Sequence, residues 1–294
     1  MRRSAVGRPW HDFVPPCRRI VSVNPKPAAR GARFPAVLEQ GTPGTAGTGK
    51  TTLRPQAPLH QAARDAAQQH RPSGLGLDSA AVRLALVQRL RSEVHCHDKV
   101  CQAMRLVPRH LFVDSALATQ AYEDTSLPIG LGQTISKPSV VARMLSILHE
   151  GSRARSTGTL GRALEIGTGC GYQTALLGQM AQRVISIERL KPLHDKARAN
   201  LGEHRAGHIR LVYGDGRLGH PPNAPYDSII AAAGGNDLPE AWLVQLADGG
   251  RLVAPLEGRA GSGQVLLVID RHGDELRRTM HEAVHFVPLK SGTE

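Results

Sequence analysis

Residues Ala163 to Leu177 read ALEIGTGCGYQTALL. An apolar run (Ala163, Leu164, Ile166) stops at a turn carrying Gly167, Gly169 and Gly171, and a helical pattern begins at once near Tyr172. A second apolar run, Val184 to Ile187, follows, with Glu188 just past its end. Strand, tight turn, helix, strand and acid is the order in which a parallel sheet cradles an adenosine-containing cofactor. Glycine permits positive φ and brings the main chain close to a ligand. The first turn of the helix offers free N–H groups and the positive end of its dipole. Glu188 follows the first glycine by about 20 residues, where such folds place the acid that accepts the ribose hydroxyls. The spacing is G-x-G-x-G and not G-x-G-x-x-G, which turns the reading away from NAD or FAD and towards S-adenosylmethionine.

The neighbouring sequence extends this unit into a sheet. Strands are expected at 162–166, 183–187, 209–213, 227–233 and 250–255, with helices near 172–181, 190–203 and 238–247 between most of them. Two β-like runs, QVLLVID and AVHFVPL, close the chain. Strands alternating with helices imply an α/β fold of the Rossmann-like methyltransferase kind, a mostly parallel central sheet flanked by helices. Before it, helices are expected over Ala80–Val94, capped by Asp78 or Ser79, over Asp98–Leu106 and over Pro138–Leu148. Asp215, in GDGR, follows the third strand. With Glu165 and Glu188 it makes three acids at successive strand ends, which converge on one crevice. Asp215 and Gly216 are placed to meet the adenine.

Composition divides the chain in two. Residues 1–77 hold 12 Lys+Arg against 3 Asp+Glu and half of the 20 prolines, leaving a net charge of only +3 on the remainder. We read 1–77 as a disordered basic leader, with too few clustered apolar residues to offset its ordering entropy, and 78–294 as the folded domain. Within that domain, 78–150 carries helices and a substrate loop, and 151–294 carries the cofactor sheet and C-terminal strands. The leader lacks the interleaved aromatics of single-strand binders, so a nucleic-acid partner is not expected. No run of 18 apolar residues exists to span a membrane. The four cysteines make no disulfide framework, which suits a reducing cytoplasm.

Two motifs mislead. GTAGTGKT, Gly44 to Thr51, matches a phosphate loop but has no buried strand before it, and Pro55 and Pro58 stand where its helix should run. His95, Cys96, His97 and Cys101 put a histidine and a cysteine four apart, yet no second pair completes a metal site. They are expected on a helix surface, with no metal bound.

Between the leading helices and the sheet lie VPRHLFV (Val107 to Val113) and AYEDTSLPIGLGQTISKP (Ala121 to Pro138), the second a long Gly/Pro-punctuated loop. Together with LEIGTGCGYQTA, GDGRLG, APYD and the closing FVPL, in this order over about residues 80–291, the chain resembles the protein-L-isoaspartate O-methyltransferase family. The resemblance implies methyl transfer from S-adenosylmethionine to the free α-carboxylate of isoaspartyl residues in damaged proteins, with repair following through a succinimide. It implies Ser136 as the active-site hydroxyl, and Glu165, Gly167, Gly169 and Gly171 on the methionine side of the cofactor. Glu188 falls at the ribose and Asp215 with Gly216 at the adenine. Thr134 and Ile135 would bind substrate beside Ser136. Phe286, Val287, Pro288 and Leu289 would hold the peptide by backbone contacts, like an added strand. Ser136 could also cap the helix that starts at Pro138. A monomer is expected.

Three positions depart from the family pattern. Lys137 stands where Gln or Ala is common, and Cys170 where Ser is common. The segment from Ala233 to Asn236 (AGGN) replaces an Ala-Ala-Pro segment, which should loosen the loop. Two other classes of function compete: a methyltransferase for another acceptor, and a non-catalytic module binding nucleic acid through the basic leader. The absence of an Asn/Asp-Pro-Pro-aromatic motif after the fourth strand disfavours a base methyltransferase.

Overall fold

The computed structural model describes residues 80–202, 207–258 and 263–294. The expected leader, the phosphate-loop lookalike and the caps Asp78 and Ser79 lie outside the described residues. Helices α1 (Ala80–Glu93) and α2 (Asp98–Leu106) lead into a hairpin of β1 (Leu127–Gly130) and β2 (Gln133–Ile135). Helices α3 (Pro138–His149) and α4 (Ser152–Thr157) follow. Then come β3 (Arg162–Ile166), α5 (Tyr172–Met180), β4 (Arg183–Glu188), α6 (Lys191–Leu201) and β5 (Ile209–Tyr213). The chain continues through β6 (Tyr226–Ala231), α7 (Glu240–Val244), β7 (Leu246–Glu257), β8 (Gln264–His272) and β9 (Glu275–Val284).

Strands β3 to β9 form one sheet in the order β5-β4-β3-β6-β7-β8-β9. Pairing is parallel from β5 across to β7 and antiparallel for β7 with β8 and β8 with β9. The strand alternation splits the apolar runs between two cores. Ala163, Val184, Ile230 and Val253 face one side, with α1, α2, α3 and α5 packed there. Leu164, Ile166, Ile185, Ile187 and Ile229 face the other, against Trp242 of α7. Every residue of β6 is buried, as a central strand covered on both faces requires.

The structure corrects three expectations. The long loop before Pro138 contains the β1–β2 hairpin, because Leu127, Ile129 and Ile135 are buried while the residues between them are not. The helix foreseen at 238–247 shrinks to α7, since Leu246 pairs with Tyr226 and begins β7. A register irregularity between Tyr226 and Ser228 and the positive φ of Gly249 (71°) carry that strand through the DGG segment. The last strand is β9, and it ends at Val284 before FVPL begins. Its run ELRRTMHEAV is mostly exposed at the sheet edge and so carries little apolar pattern.

Candidate active site

Strand β3 lies between β4 and β6, both parallel to it, and strand order reverses there. The connections leaving β3 and β6 diverge, opening a crevice at the strand ends. A cavity of about 360 Å³ occupies it, walled by the glycine turn, the β1–β2 hairpin and residues 287–290. All three turn glycines take positive φ: 89° at Gly167, 56° at Gly169 and 91° at Gly171. The turn is pinned to the next strand, with Gly167 and Thr168 both donating to the Ile187 carbonyl. Gly167 and Gly169 line the cavity, whereas Gly171 is the N-cap of α5 and lies against Ala197 and Leu201 of α6. Its role is helix packing.

The three acids divide the work differently from the sequence reading. Glu188 lines the cavity and is 5% exposed. Its Oε2 accepts from the Gly169 N–H at 2.9 Å and its Oε1 from the Leu190 N–H at 3.0 Å, so it shapes the turn. Each oxygen keeps a lone pair for a ribose hydroxyl. Glu165 is fully buried behind the turn, outside the cavity wall. Its Oε2 accepts from the hydroxyls of Ser186 (2.6 Å) and Thr174, and burial pushes its carboxyl up to about 7 against the pull of those hydroxyls. Its Oε1 has no hydrogen-bond partner. Asp215 does not reach the cavity wall. It caps a short turn through the Arg217 N–H (2.8 Å) and accepts from the Gly292 N–H (2.7 Å), tying the C-terminal segment beside Arg189. Gly216 does line the cavity, and a Cβ there would meet Ile166 Cγ2 at 2.5 Å.

The facing wall contains Thr134, Ile135 and Ser136. Ser136 does not cap α3. Lys137 occupies the cap position, and Asp124 satisfies the helix start through the Ser139 N–H (2.8 Å) and hydroxyl (2.7 Å). The Ser136 hydroxyl makes no hydrogen bond to a described residue, while its carbonyl accepts from Arg109 Nη2 at 2.9 Å. Arg109 comes from VPRHLFV, is fully buried and sits 5.1 Å from the Tyr172 ring centroid. Burial pushes its guanidinium down from the ordinary arginine value, opposed chiefly by Tyr172. Its Nε and Nη1 have no partner. Asp124 and Arg109 escaped the sequence reading. The only hint in the sequence was their place within VPRHLFV and AYEDTSLPIGLGQTISKP, the segments already singled out.

FVPL meets the site in a corrected way. Phe286 is buried away from the cavity, and its N–H is given to Gln264 Oε1 (2.7 Å). Val287, Pro288 and Leu289 line the cavity. The Val287 carbonyl and the Leu289 N–H already bond Gly234, at 2.9 and 2.6 Å, and proline has no N–H. The Val287 N–H and the carbonyls of Phe286, Pro288 and Leu289 bond no other described residue and remain for an added substrate strand. The same bonds overturn the expected loosening at Gly234. A Cβ there would meet Gln264 Nε2 at 2.8 Å and Pro255 Cβ at 3.0 Å, so glycine permits a close approach that stitches the loop down. Cys96 and Cys101 are buried, not on a helix surface, and among the described residues no group of three His, Cys, Asp or Glu is arranged to hold a metal.

Residues 82–294 match the family model for protein-L-isoaspartate(D-aspartate) O-methyltransferase. The chain belongs to that family. It is 58% identical to a protein-L-isoaspartate O-methyltransferase of Methylibium petroleiphilum over 93% of this chain and 100% of that protein. A second, from Leptothrix cholodnii, is 55% identical over 91% of this chain and 96% of that protein. A solved structure from Plasmodium falciparum, described as a protein-L-isoaspartate methyltransferase in complex with S-adenosyl-L-homocysteine, is 25% identical. It covers 71% of this chain and 98% of its own, with a TM-score of 0.60. The chain is therefore an S-adenosylmethionine-dependent methyltransferase of this family.

The residues present fit that cofactor. Gln173 lines the cavity with a buried Nε2 donor, near enough to Glu165 behind the turn to draw its carboxyl down. A buried amide donor at the cavity wall suits the carboxylate at the methionine end of the cofactor. Glu188 and Gly216 line the same cavity, as an adenosine end requires.

Proposed function

We propose that the cavity takes S-adenosylmethionine along its glycine-turn wall and an isoaspartyl carboxylate at Ser136, and that the methyl ester formed there starts repair through a succinimide. The observation that carries this reading is the pairing within one cavity of the glycine turn with a hydroxyl that no described residue engages. When bound, the cofactor supplies an electrophilic methyl group on sulfonium. A carboxylate of ordinary pKa near ~4 is already ionised at neutral pH, so no general base is needed. With the methyl group supplied by the bound cofactor, the chain would need only to present that carboxylate in line with it, and none of its residues would have to take or give a proton.

The chain's task is alignment in dry surroundings. Ile129, Ile135, Val141 and Ile166 contribute an apolar wall, which favours a step that cancels a negative against a positive charge. Ser136 donates to the carboxylate oxygen that does not attack, leaving the other with its full nucleophilicity. Arg109 acts as a positioning residue. It grips the Ser136 carbonyl from behind and stays out of the cavity, so it does not over-stabilise the anion. Proximity and orientation of this kind supply roughly 7–11 kcal/mol of a barrier.

Glu188 is the ribose acid. Gln173 holds the methionine end, with Glu165 acting on it from behind the turn, and Gly216 floors the adenine. Asp215 reaches the adenine side only through the segment it anchors. The substrate is held by Thr134, Ile135, Val287, Pro288 and Leu289, the last three through backbone groups as well as side chains. We take the chain to act as a monomer and in the cytoplasm, a compartment supported by the free buried thiols of Cys96, Cys101 and Cys170. The test is transfer of labelled methyl to an isoaspartyl peptide beside its normal-aspartyl isomer. Label on the isoaspartyl peptide alone is expected; equal labelling of both, or of neither with cofactor bound, would overturn the reading.

A further inference from the structure

The tip of the β1–β2 hairpin is Gly130-Leu131-Gly132, and φ is positive at all three, 100°, 53° and 69°. Glycine accepts this freely. Leucine does not, because its Cβ crowds the following carbonyl. Only His95 shares this feature among non-glycine described residues. The two-residue loop of the hairpin requires it, since Gly130 pairs with Gln133 and the pair between them must both take positive φ. Gly, Asn or Asp would meet that requirement with less strain than leucine. Leu131 is 57% exposed, whereas Ile129 and Ile135 on the same hairpin are buried. It nonetheless belongs to the cavity wall, next in sequence to the Gln133–Ser136 segment. An exposed leucine alone needs no explanation. One held in a strained backbone at the rim of a binding cavity points to function.

The isoaspartyl group must reach Ser136 within a cavity that the cofactor shares. The neighbours of that group in the substrate must rest on the rim. We propose that Leu131 determines specificity there, as an apolar shelf that packs against an apolar side chain flanking the isoaspartyl residue. This rests on the reading of the Ser136 wall as the acceptor side.

The test uses the full chain and isoaspartyl hexapeptides that differ only in carrying Leu, Ser or Asp beside the isoaspartyl residue. Wild type is expected to favour the Leu peptide over the Ser peptide at least fivefold in kcat/KM. Leu131→Gly, which relieves the backbone, is expected to keep or raise the melting temperature and to hold the cofactor Kd within twofold. Its preference for the Leu peptide should fall below twofold. A wild type without preference, one that favours the Asp peptide, or a variant that keeps the full preference overturns the inference alone. Failure to methylate any of the peptides overturns the acceptor reading and the inference with it.

Discussion

The two walls of the cavity are built by opposite means. The donor wall is the β3–α5 turn and the end of β4, continuous with a buried parallel sheet and locked by Glu188 and by the Ile187 carbonyl. The acceptor wall is a two-stranded hairpin and an extended segment, held by bonds that reach across the sequence. Arg109 bonds the Ser136 carbonyl 27 residues away, Asp124 caps α3 15 residues away, and Gly234 stitches down residues 287–289. A cofactor common to many reactions is met by rigid secondary structure, and a variable protein substrate by adjustable segments on a rigid base. Damage to one wall should therefore leave the other largely intact.

The largest effect is expected from Arg109→Met. It removes a buried charge that bonds no carboxylate among the described residues but leaves the Ser136 and Thr125 carbonyls without that donor, so stability should fall by about 1–3 kcal/mol. It also releases the Ser136 carbonyl. Methylation should fall about a hundredfold, as for a displacement of about 1 Å in a reacting group. The cofactor Kd, read by calorimetry, should move less than threefold. A matching loss of cofactor affinity would break the separation of the walls.

Glu188→Gln is the converse. It weakens two hydrogen bonds to an ionised carboxylate, each worth about 1.5–3 kcal/mol. The cofactor Kd should rise at least tenfold while the KM for an isoaspartyl peptide stays near wild type.

Glu165 gives a pH signature. Its carboxyl stands near 7 in the folded chain, above its ordinary 4.5, because burial disfavours the charge. The folded state thus binds the extra proton between these values, and stability without cofactor falls as pH rises from about 4.5 to about 7. Cofactor binding, which wants the ionised form, should strengthen as pH rises from 6 to 8. Glu165→Gln should flatten both slopes, and unchanged slopes would remove Glu165 from the methionine end. The smallest effect is expected at Asp215→Asn. Because Asp215 bonds backbone and not cavity, cofactor affinity should fall by less than about threefold, and a larger loss would restore it to the adenine contact.

The contrast also explains what could be read in advance. The donor wall was legible because its parts recur at short, fixed spacings: alternating apolar residues, three glycines, and an acid at the end of the next strand. The depth of Glu165 could not be read, because an acid within the strand points beneath the turn. The acceptor wall was legible only through motif order, since no spacing rule links Arg109 to Ser136 or Gly234 to Val287. Strand β9 was missed because an exposed edge strand such as Arg277-Arg278-Thr279 buries too little to show alternation. The AGGN segment was misread for a related reason. The shape of Gly234 is decided by Gln264 and Pro255, remote in sequence.

The most direct test of two separable walls is Ser136→Ala, with cofactor Kd and methylation rate measured on the same preparation. The account predicts a Kd within twofold of wild type and a rate on an isoaspartyl peptide lower by about tenfold to a hundredfold. A full rate, or a rate lost only in step with cofactor binding, would contradict it.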